Sequence, residues 1–230
     1  AFFQSEWTES GVPVRVVAVA PGRARLRVRA DARSRDEASD DGLPCSLDAV
    51  EARQVMAVVG LGNAPKGQAP GLRVGGKTGA PAGEGALLVS RVDGSFALLP
   101  QGSRNVPADA DFVELPAIVS GGRPVEGTAA RSTMRKRGAL CVSADGFLWV
   151  ATATASLDEP LAAALTKVGC ELAVSTDRGA HEPALVARAG TSFPPVDRYE
   201  QTVAYLLGRS LMPGAVRWGS TAPTTAALAQ

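Results

Sequence analysis

Two segments near the N-terminus have the patterns of buried strands, because one runs almost entirely apolar and the other alternates apolar and polar residues with a period of two. The segments are "VPVRVVAV" (12–19) and "RARLRVRA" (23–30), and the "APG" between them is typical of a turn. The pattern predicts an opening β-hairpin. Four arginines share one face of its second strand, either as a solvated outer face or as an anion-binding stripe: Arg23, Arg25, Arg27 and Arg29.

Three later apolar segments are each interrupted by a dipeptide that favours a tight turn. The dipeptides are Asp93-Gly94, Gly121-Gly122 and Asp145-Gly146. Such residues tolerate the positive φ that two-residue hairpin loops require. We therefore expect three antiparallel strand pairs, one around each dipeptide.

Helix-capping signals occur at three places. They predict a short helix from Ser46 to about Gln54, a helix that begins at the capping box "SLDE" (156–159) and ends at Gly169, and a helix from Asp197 to Gly208. Leu161, Leu165 and Val168 are the predicted buried face of the second helix. Val203, Leu206 and Leu207 are that of the third.

The composition fits a strand-rich globular protein. The 230 residues are 45% hydrophobic and 5% aromatic, with 25 glycines and 16 prolines. The 24 basic residues nearly balance 23 acidic ones, so no global field attracts nucleic acid. No apolar run reaches the ~18 residues of a membrane span. We predict one mixed α/β (α+β) domain with a largely antiparallel sheet, two or three helices and a charged loop at about 31–42.

Cysteine and histidine usage does not suggest a metal or cofactor site. Cys45, Cys141 and Cys170 have no CxxC spacing, and at most one disulfide can form between them. His181 is the single histidine and has no neighbouring His or Cys that would complete a zinc site. We predict neither a metal nor a cofactor.

Two glycine-rich segments resemble nucleotide-binding motifs without their structural context. "GLRVGGKT" (71–78) satisfies GxxxxGK[ST], but its middle residues predict a strand and "GAPAGEG" after it cannot begin a helix. "VVGLGNAP" (58–65) has proline where a dinucleotide fingerprint has its third glycine. The first is predicted to be a strand followed by a turn, and the second a tight turn.

Five segments, in order, resemble those of the phosphodiester glycosidase domain family, which includes N-acetylglucosamine-1-phosphodiester alpha-N-acetylglucosaminidase-like enzymes. They are "AVVGLGNA" (57–64), "GLRVGGK" (71–77), "PAIVSGGRPV" (116–125), "RGALCVSADG" (137–146) and "LAVSTDRGAH" (172–181). The resemblance covers about Val12 to Gly190. It implies a domain at 1–190, followed by a C-terminal helical extension and tail at 191–230.

The resemblance implies a site around Asp177. Asp177, Arg137 and His181 are the candidate catalytic residues, and Gly179, Arg178, Gly60 and Arg135 are the candidate substrate-binding residues. A phosphodiester is an anion whose cleavage needs charge stabilisation and proton transfer, which an arginine beside a carboxylate supplies. The resemblance also places Cys141 and Cys170 in one core, with their pairing left open.

Several family positions are altered in this chain. Val59 and Leu61 stand where the family has asparagine and glycine, and Arg178 and Ala180 replace two glycines of the last segment. We therefore expect an altered active site with a glycan-binding or scaffold role in a secreted or periplasmic protein. The alternative is an active glycosidase that hydrolyses a sugar-1-phosphodiester. A protein partner bound through the termini, where Phe2, Phe3 and Trp7 lie, is a third hypothesis.

Overall fold

The chain folds into three antiparallel sheets and little helix. The computed structural model describes residues 2–30, 42–62, 70–103, 105–125, 133–177, 184–186 and 201–209. Its helices are α1 Ala49–Ala52 and α2 Glu159–Lys167. Its strands are β1 Phe2–Glu9, β2 Val12–Val19, β3 Ala24–Arg29, β4 Val55–Gly60, β5 Leu72–Val74, β6 Lys77–Ala80, β7 Ala86–Ser90, β8 Phe96–Leu99, β9 Asp111–Leu115, β10 Ala117–Ser120, β11 Arg123–Pro124, β12 Arg135–Val142, β13 Leu148–Ala155, β14 Leu172–Asp177, β15 Ala184–Val186 and β16 Val203–Gly208.

The three sheets differ in size and strand order. Sheet A has seven strands in the order β1-β2-β13-β12-β14-β10-β11, sheet B has the order β15-β4-β16-β3, and sheet C has the order β6-β5-β9-β7-β8. Every pairing among these strands is antiparallel. The predicted antiparallel architecture is confirmed, and strands dominate over helices in the described part.

One hydrophobic core joins all three sheets. Val150 of sheet A, Leu206 of sheet B and Leu88 of sheet C belong to the same buried cluster, and each is at most 3% exposed. In β3 the alternation is as the sequence predicts, because Leu26 and Val28 point into this core. Burial of such side chains is the main source of the fold's stability.

Helix α2 covers the second face of sheet A. Leu161 and Leu165 are fully buried against this sheet, as predicted. Gly169, with φ of 84°, ends the helix. A disulfide joins Cys141 in β12 to Cys170 just after the helix, with 6.1 Å between their Cα atoms. The disulfide therefore fastens the end of α2 to the centre of sheet A.

The turn dipeptides act as predicted. Antiparallel pairs form between β7 and β8, β10 and β11, and β12 and β13. Gly94, Gly122 and Gly146 have φ of 80°, 71° and 81° at these turns. The segment resembling a phosphate loop is the hairpin of β5 and β6, as expected.

The predicted opening hairpin is wrong. Strand β2 pairs with β1 and β13 in sheet A, whereas β3 pairs with β16 in sheet B. The turn at 20–23 therefore carries the chain from one sheet to another. The local partner of β2 is β1, which precedes it across a turn at Ser10 and Gly11 with positive φ.

The predicted third helix is also wrong, because residues 203–208 form β16. All six residues of this strand are buried, including Tyr205 at 0% exposure. A short run of consecutive apolar residues fits a strand buried on both faces better than a one-faced helix. Because β16 lies between β4 and β3, it is part of the core and not of a separate extension. Residues 210–230 lie outside the described part.

Three of the four arginines on the outer face of β3 are held by contacts within the protein, whereas Arg23 is exposed. Arg27 and Arg29 both reach Glu51 of α1, with nitrogen–oxygen distances of 2.7 and 3.3 Å, and Arg25 hydrogen-bonds to Gln54. Helix α1 is capped by Asp48, whose side chain accepts from the amides of Val50 and Glu51, and not by Ser46. The short helix thus lies over this part of β3, and its Glu51 pairs with both Arg27 and Arg29. No helix in the described residues has the length and apolar composition of a membrane span.

Candidate functional site

The predicted carboxylate Asp177 lies where sheets A and B meet. It is the last residue of β14 and pairs with Gly138 in sheet A. Its Oδ2 atom is 3.6 Å from the position that a Cβ on Gly60, the last residue of β4, would occupy. The pairing of Gly60 with Val203 brings the start of β16 to the same place. We call Asp177, Gly60, Gly62, Gln201 and Thr202 the Asp177 site.

A β-bulge at the end of β14 determines where Asp177 points. Ala139 pairs with Ser175, but the next residue of β12, Gly138, pairs with Asp177, so that Thr176 is an extra residue. An extra residue reverses the face on which the following side chain lies. Asp177 therefore lies on the face of Gly138, toward sheet B, and is 3% exposed. Bulges of this kind commonly re-aim a functional side chain.

The two glycines at the end of β4 make room for an amide. The Gln201 carboxamide occupies the space that a Cβ would need at Gly60, and also the space that one would need at Gly62. The Leu61 amide donates to the carbonyl oxygen of Thr202, 2.7 Å away, which holds the two segments together. A Cβ at either position would displace the Gln201 side chain, so the two glycines leave room for it, and the resemblance of this segment to a dinucleotide fingerprint has a different cause.

Arg137 lies on the opposite face of sheet A from Asp177. Its Nε donates to the Ala155 carbonyl at 2.9 Å, and its two terminal nitrogens donate to Asp158 at 2.7 Å and to the Ser156 carbonyl at 2.6 Å. The side chain is buried against the start of α2. The structure therefore corrects the expectation that Arg137 stands beside Asp177, and the bulge in β14 is the physical reason.

The Arg137–Asp158 ion pair also explains how α2 begins. The structure starts the helix at Glu159, with Asp158 at the capping position. The Asp158 side chain does not cap the helix amides, because it is directed to the guanidinium of Arg137. The predicted capping box at Ser156 is thus replaced by a buried ion pair that fixes the helix to sheet A.

Of the other predicted site residues, the structure describes Arg135 but not those that follow Asp177. Arg135 is exposed at the start of β12, where its Nε donates to the Thr133 hydroxyl at 3.2 Å. Arg135 lies two residues before Arg137, so the strand's alternation places it away from the Asp177 face. Arg178, Gly179 and His181 lie outside the described residues, and their predicted roles remain predictions.

Sequence reasoning missed Gln201 and Thr202. Both fell within the segment predicted as a helix from Asp197. The signal that identifies them is the run "TVAYLLG" (202–208), which is rich in β-branched and aromatic residues and ends at a glycine. Because β16 pairs antiparallel with β4, a strand recognised there places its start, and therefore Gln201, beside the end of β4.

The fold has a known counterpart. It resembles the catalytic domain of zebrafish N-acetylglucosamine-1-phosphodiester alpha-N-acetylglucosaminidase, solved in a form auto-inhibited by its propeptide. The TM-score is 0.57 at 13% identity, over 91% of this chain and 83% of the zebrafish domain. No family model matches the sequence, and no curated protein is significantly similar to it. The likeness therefore shows the fold, a glycosidase-like one, and not the activity.

Proposed function

We propose that this protein is a divergent phosphodiester-glycosidase-like domain that binds a glycan at the Asp177 site without hydrolysing it. The observation that supports the proposal most is the position of the Gln201 carboxamide. It fills the space that Gly60 and Gly62 leave beside the Asp177 carboxylate. Glycines in such a position let a ligand approach the backbone closely. Here a side chain of the protein itself occupies the space.

The polar groups of the site suit recognition better than phosphodiester cleavage. Cleavage needs a cation for the phosphate, and Arg137, the residue expected to supply it, is fixed to Asp158 on the other face of the sheet. A carboxylate and a carboxamide together accept and donate hydrogen bonds, as the hydroxyl and amide groups of a sugar require. A ligand then either hydrogen-bonds to Gln201 or displaces its side chain.

The alternative is an active hydrolase of a sugar-1-phosphodiester. The burial of Asp177 and the bulge that directs it support this alternative, because buried carboxylates at re-aimed positions often serve as acids or bases. So does the likeness to the catalytic domain of a glycosidase. In this case His181 and Arg178 are the candidates for the remaining chemistry.

Hydrolysis and binding assays on matched variants separate the two proposals. We expect no turnover of a chromogenic N-acetylglucosamine-1-phosphodiester, and saturable binding of N-acetylglucosamine detected by NMR. Asp177→Asn should weaken that binding by about tenfold, since a hydrogen bond to a charged group contributes roughly 1.5 kcal/mol or more. Asp109→Asn, a change to an exposed carboxylate, is the control and should bind as wild type.

Each other result favours a different function. Turnover that Asp177→Asn abolishes and Asp109→Asn retains would establish the hydrolase and reject the binding proposal. Neither turnover nor sugar binding would reject both and leave a scaffold role. Saturable binding that is equal in the two variants would place the sugar elsewhere on the protein.

We also propose that the protein works in an oxidising compartment after export. The disulfide between Cys141 and Cys170 supports this location, because such bonds persist in secreted and periplasmic proteins and are rare in the cytosol. Intact-mass measurement after alkylation without reductant tests it. Protein isolated from its native source should carry one alkyl group, on Cys45, and three alkyl groups would contradict the proposal.

A further inference from the structure

Arginines are concentrated at one corner of the outer face of sheet B. Four exposed arginines come together there from three strand ends and one turn, and we call them the arginine corner: Arg23, Arg53, Arg91 and Arg209. They differ from the arginines in the middle of β3, which are engaged within the protein. The whole chain, with 24 basic and 23 acidic residues, has a formal net charge of only +1.

The middle of β3 is neutralised internally. Arg27 and Arg29 share Glu51, and they also interact electrostatically with Asp48 and Asp111. Arg27 in addition donates to the carbonyl oxygens of Arg91 and Val92, at 3.0 and 2.8 Å. These contacts are part of the fold, so Arg27 and Arg29 have little uncompensated charge with which to bind a ligand.

Strand register places three of the corner arginines at neighbouring positions beside the ends of adjacent strands. Gly208 pairs with Ala24, so Arg209 and Arg23 follow as neighbours at the end of β16 and the start of β3. On the other side of β16, Leu207 pairs with Val55 and the Gly208 amide donates to the Gln54 carbonyl, so Arg53 lies beside Arg209. Adjacent strands are ~4.8 Å apart, so the three backbones lie within about 10 Å.

The turn between β7 and β8 adds the fourth arginine, Arg91, to the corner. The Leu26 amide donates to the Gly94 carbonyl at 3.0 Å, and Gly94 lies against the Arg25 side chain, so this turn lies beside the start of β3. Hydrogen bonding by Ser95 lowers the pKa of Asp93, and the positive charges of Arg91 and Arg209 lower it further, which places both arginines near this carboxylate. Asp93 is thus a counter-charge for two of the four corner arginines.

The corner has the features of a protein interface. Within the described residues, none of the four guanidinium groups donates a hydrogen bond or forms a close ion pair. Val92, next to Arg91, is 68% exposed, and Val50, in the helix that ends before Arg53, is 64% exposed. Arginine beside exposed apolar side chains is enriched at protein interfaces, and its planar fork binds carboxylates in a bidentate manner.

We propose that the arginine corner is a docking surface for an acidic segment of another protein. The positive charge of the four corner arginines attracts carboxylates. The exposed side chains of Val50 and Val92 offer apolar contact, which a peptide that also carries apolar residues can use and a purely polyanionic ligand cannot. The surface is distinct from the Asp177 site, because Arg23 and Arg209 lie at the ends of β3 and β16 opposite to the end where Val203 pairs with Gly60. Both sites can therefore be occupied at once.

A peptide-binding titration with charge-matched variants tests the proposal. The probe is a fluorescent peptide of alternating glutamate and leucine, titrated by anisotropy at physiological salt. Arg53→Ser with Arg209→Ser should weaken binding about tenfold, since each lost contact between an exposed arginine and a carboxylate weakens binding about threefold. Arg15→Ser with Arg123→Ser removes the same charge from exposed sites in sheet A and should change the affinity less than about twofold.

Further measurements give the proposal clear ways to fail. Val92→Ser should also weaken peptide binding while leaving the charge unchanged, and unfolding curves should show that all variants stay folded. Equal weakening by the two double variants would reduce the effect to net charge and overturn the proposal. The proposal would also be overturned if heparin or phosphatidylserine vesicles bound more tightly than the peptide and only the Arg53→Ser, Arg209→Ser variant lost that binding. Absence of peptide binding by the wild-type protein would overturn it as well.

Discussion

Glu114 shows how one charged residue fixes several distant segments of the chain. It is 5% exposed, and its carboxylate accepts hydrogen bonds from the amides of Gly71, Gly83 and Gly85. A Cβ on any of these glycines would lie within 3 Å of the carboxylate. The three glycines are therefore needed for the contact, and the sequence alone, in which Glu114 interrupts the apolar "FVEL" (112–115), gives no sign of it.

We predict that Glu114→Gln destabilises the protein by about 1–3 kcal/mol, the cost of leaving buried amide donors without their charged acceptor. The carboxamide keeps one acceptor oxygen but turns its NH2 group toward glycine amides, which are also donors. Urea unfolding at neutral pH measures the change. Glu84→Gln, at a neighbouring exposed glutamate, should change the stability by less than ~0.5 kcal/mol. Equal stabilities of the two variants would contradict the role of Glu114.

The same residue predicts a pH dependence. Burial raises the pKa of Glu114, but the hydrogen bonds from the amides of Gly83, Gly85 and Gly71 together outweigh it, so that its pKa lies below the ordinary value of 4.5. A carboxylate with a depressed pKa stabilises the folded state fully above its unfolded-state pKa, and this stability is lost as the pH falls through the lower, folded-state pKa. The stability difference between wild type and Glu114→Gln should therefore shrink below about pH 4.5. A difference that grows with acidity would refute this sign.

At the scale of elements, the buried ion pair between Arg137 and Asp158 joins sheet A to α2. The Arg137 and Asp158 side chains are 3% and 0% exposed, and the arginine also holds two carbonyls of the chain leading into the helix. A buried charge that loses its partner is left without compensation. The pair therefore has a structural role that its place beside the "GALCV" strand (138–142) does not reveal in the sequence.

We predict that Arg137→Met destabilises the protein by about 3–5 kcal/mol, because it removes the guanidinium that compensates the buried carboxylate of Asp158. Urea unfolding checks the value, and Arg15→Met, at an exposed strand position, should cost less than ~0.5 kcal/mol. The double change Arg137→Met with Asp158→Leu should be more stable than the single Arg137 variant, since it also removes the buried carboxylate that has lost its guanidinium. A double variant that is less stable than the single one would show that the ion pair is not the reason.

Local signals in the sequence predicted turns and short elements, but not the assignment of strands to sheets. Turns at Gly94, Gly122 and Gly146 depend on the local backbone, and all three were predicted correctly. The pairing of β3 with β16 depends on contacts across about 180 residues, and the alternation in "RARLRVRA" is compatible with any partner strand. The sequence did not reveal that Asp177 and Arg137 lie on opposite faces of sheet A, for a similar reason. The bulge in β14 shifts the register without a local signal.

At the scale of the whole molecule, β16 connects the end of the described chain to its core. It lies between β4 and β3, pairs with both along most of its length, and contributes Ala204 and Leu206 to the cluster that joins the three sheets. Its other face buries Val203, Tyr205 and Leu207. Without this strand, two neighbours in sheet B lose their hydrogen-bonding partner and a buried face.

We therefore predict that a chain ending at residue 190 does not fold, although the resemblance at the sequence level placed a domain boundary there. Far- and near-ultraviolet circular dichroism on heating should show no cooperative transition, whereas the full chain unfolds cooperatively. Leu206→Asp in the full chain should have a similar effect, because it places an unpaired charge in the central core. A cooperative transition in the shortened chain, with the denaturant dependence of a fully formed core, would instead mean that sheet B is stable without its central strand. That result would restore the boundary at residue 190 and make residues 203–208 an accessory strand.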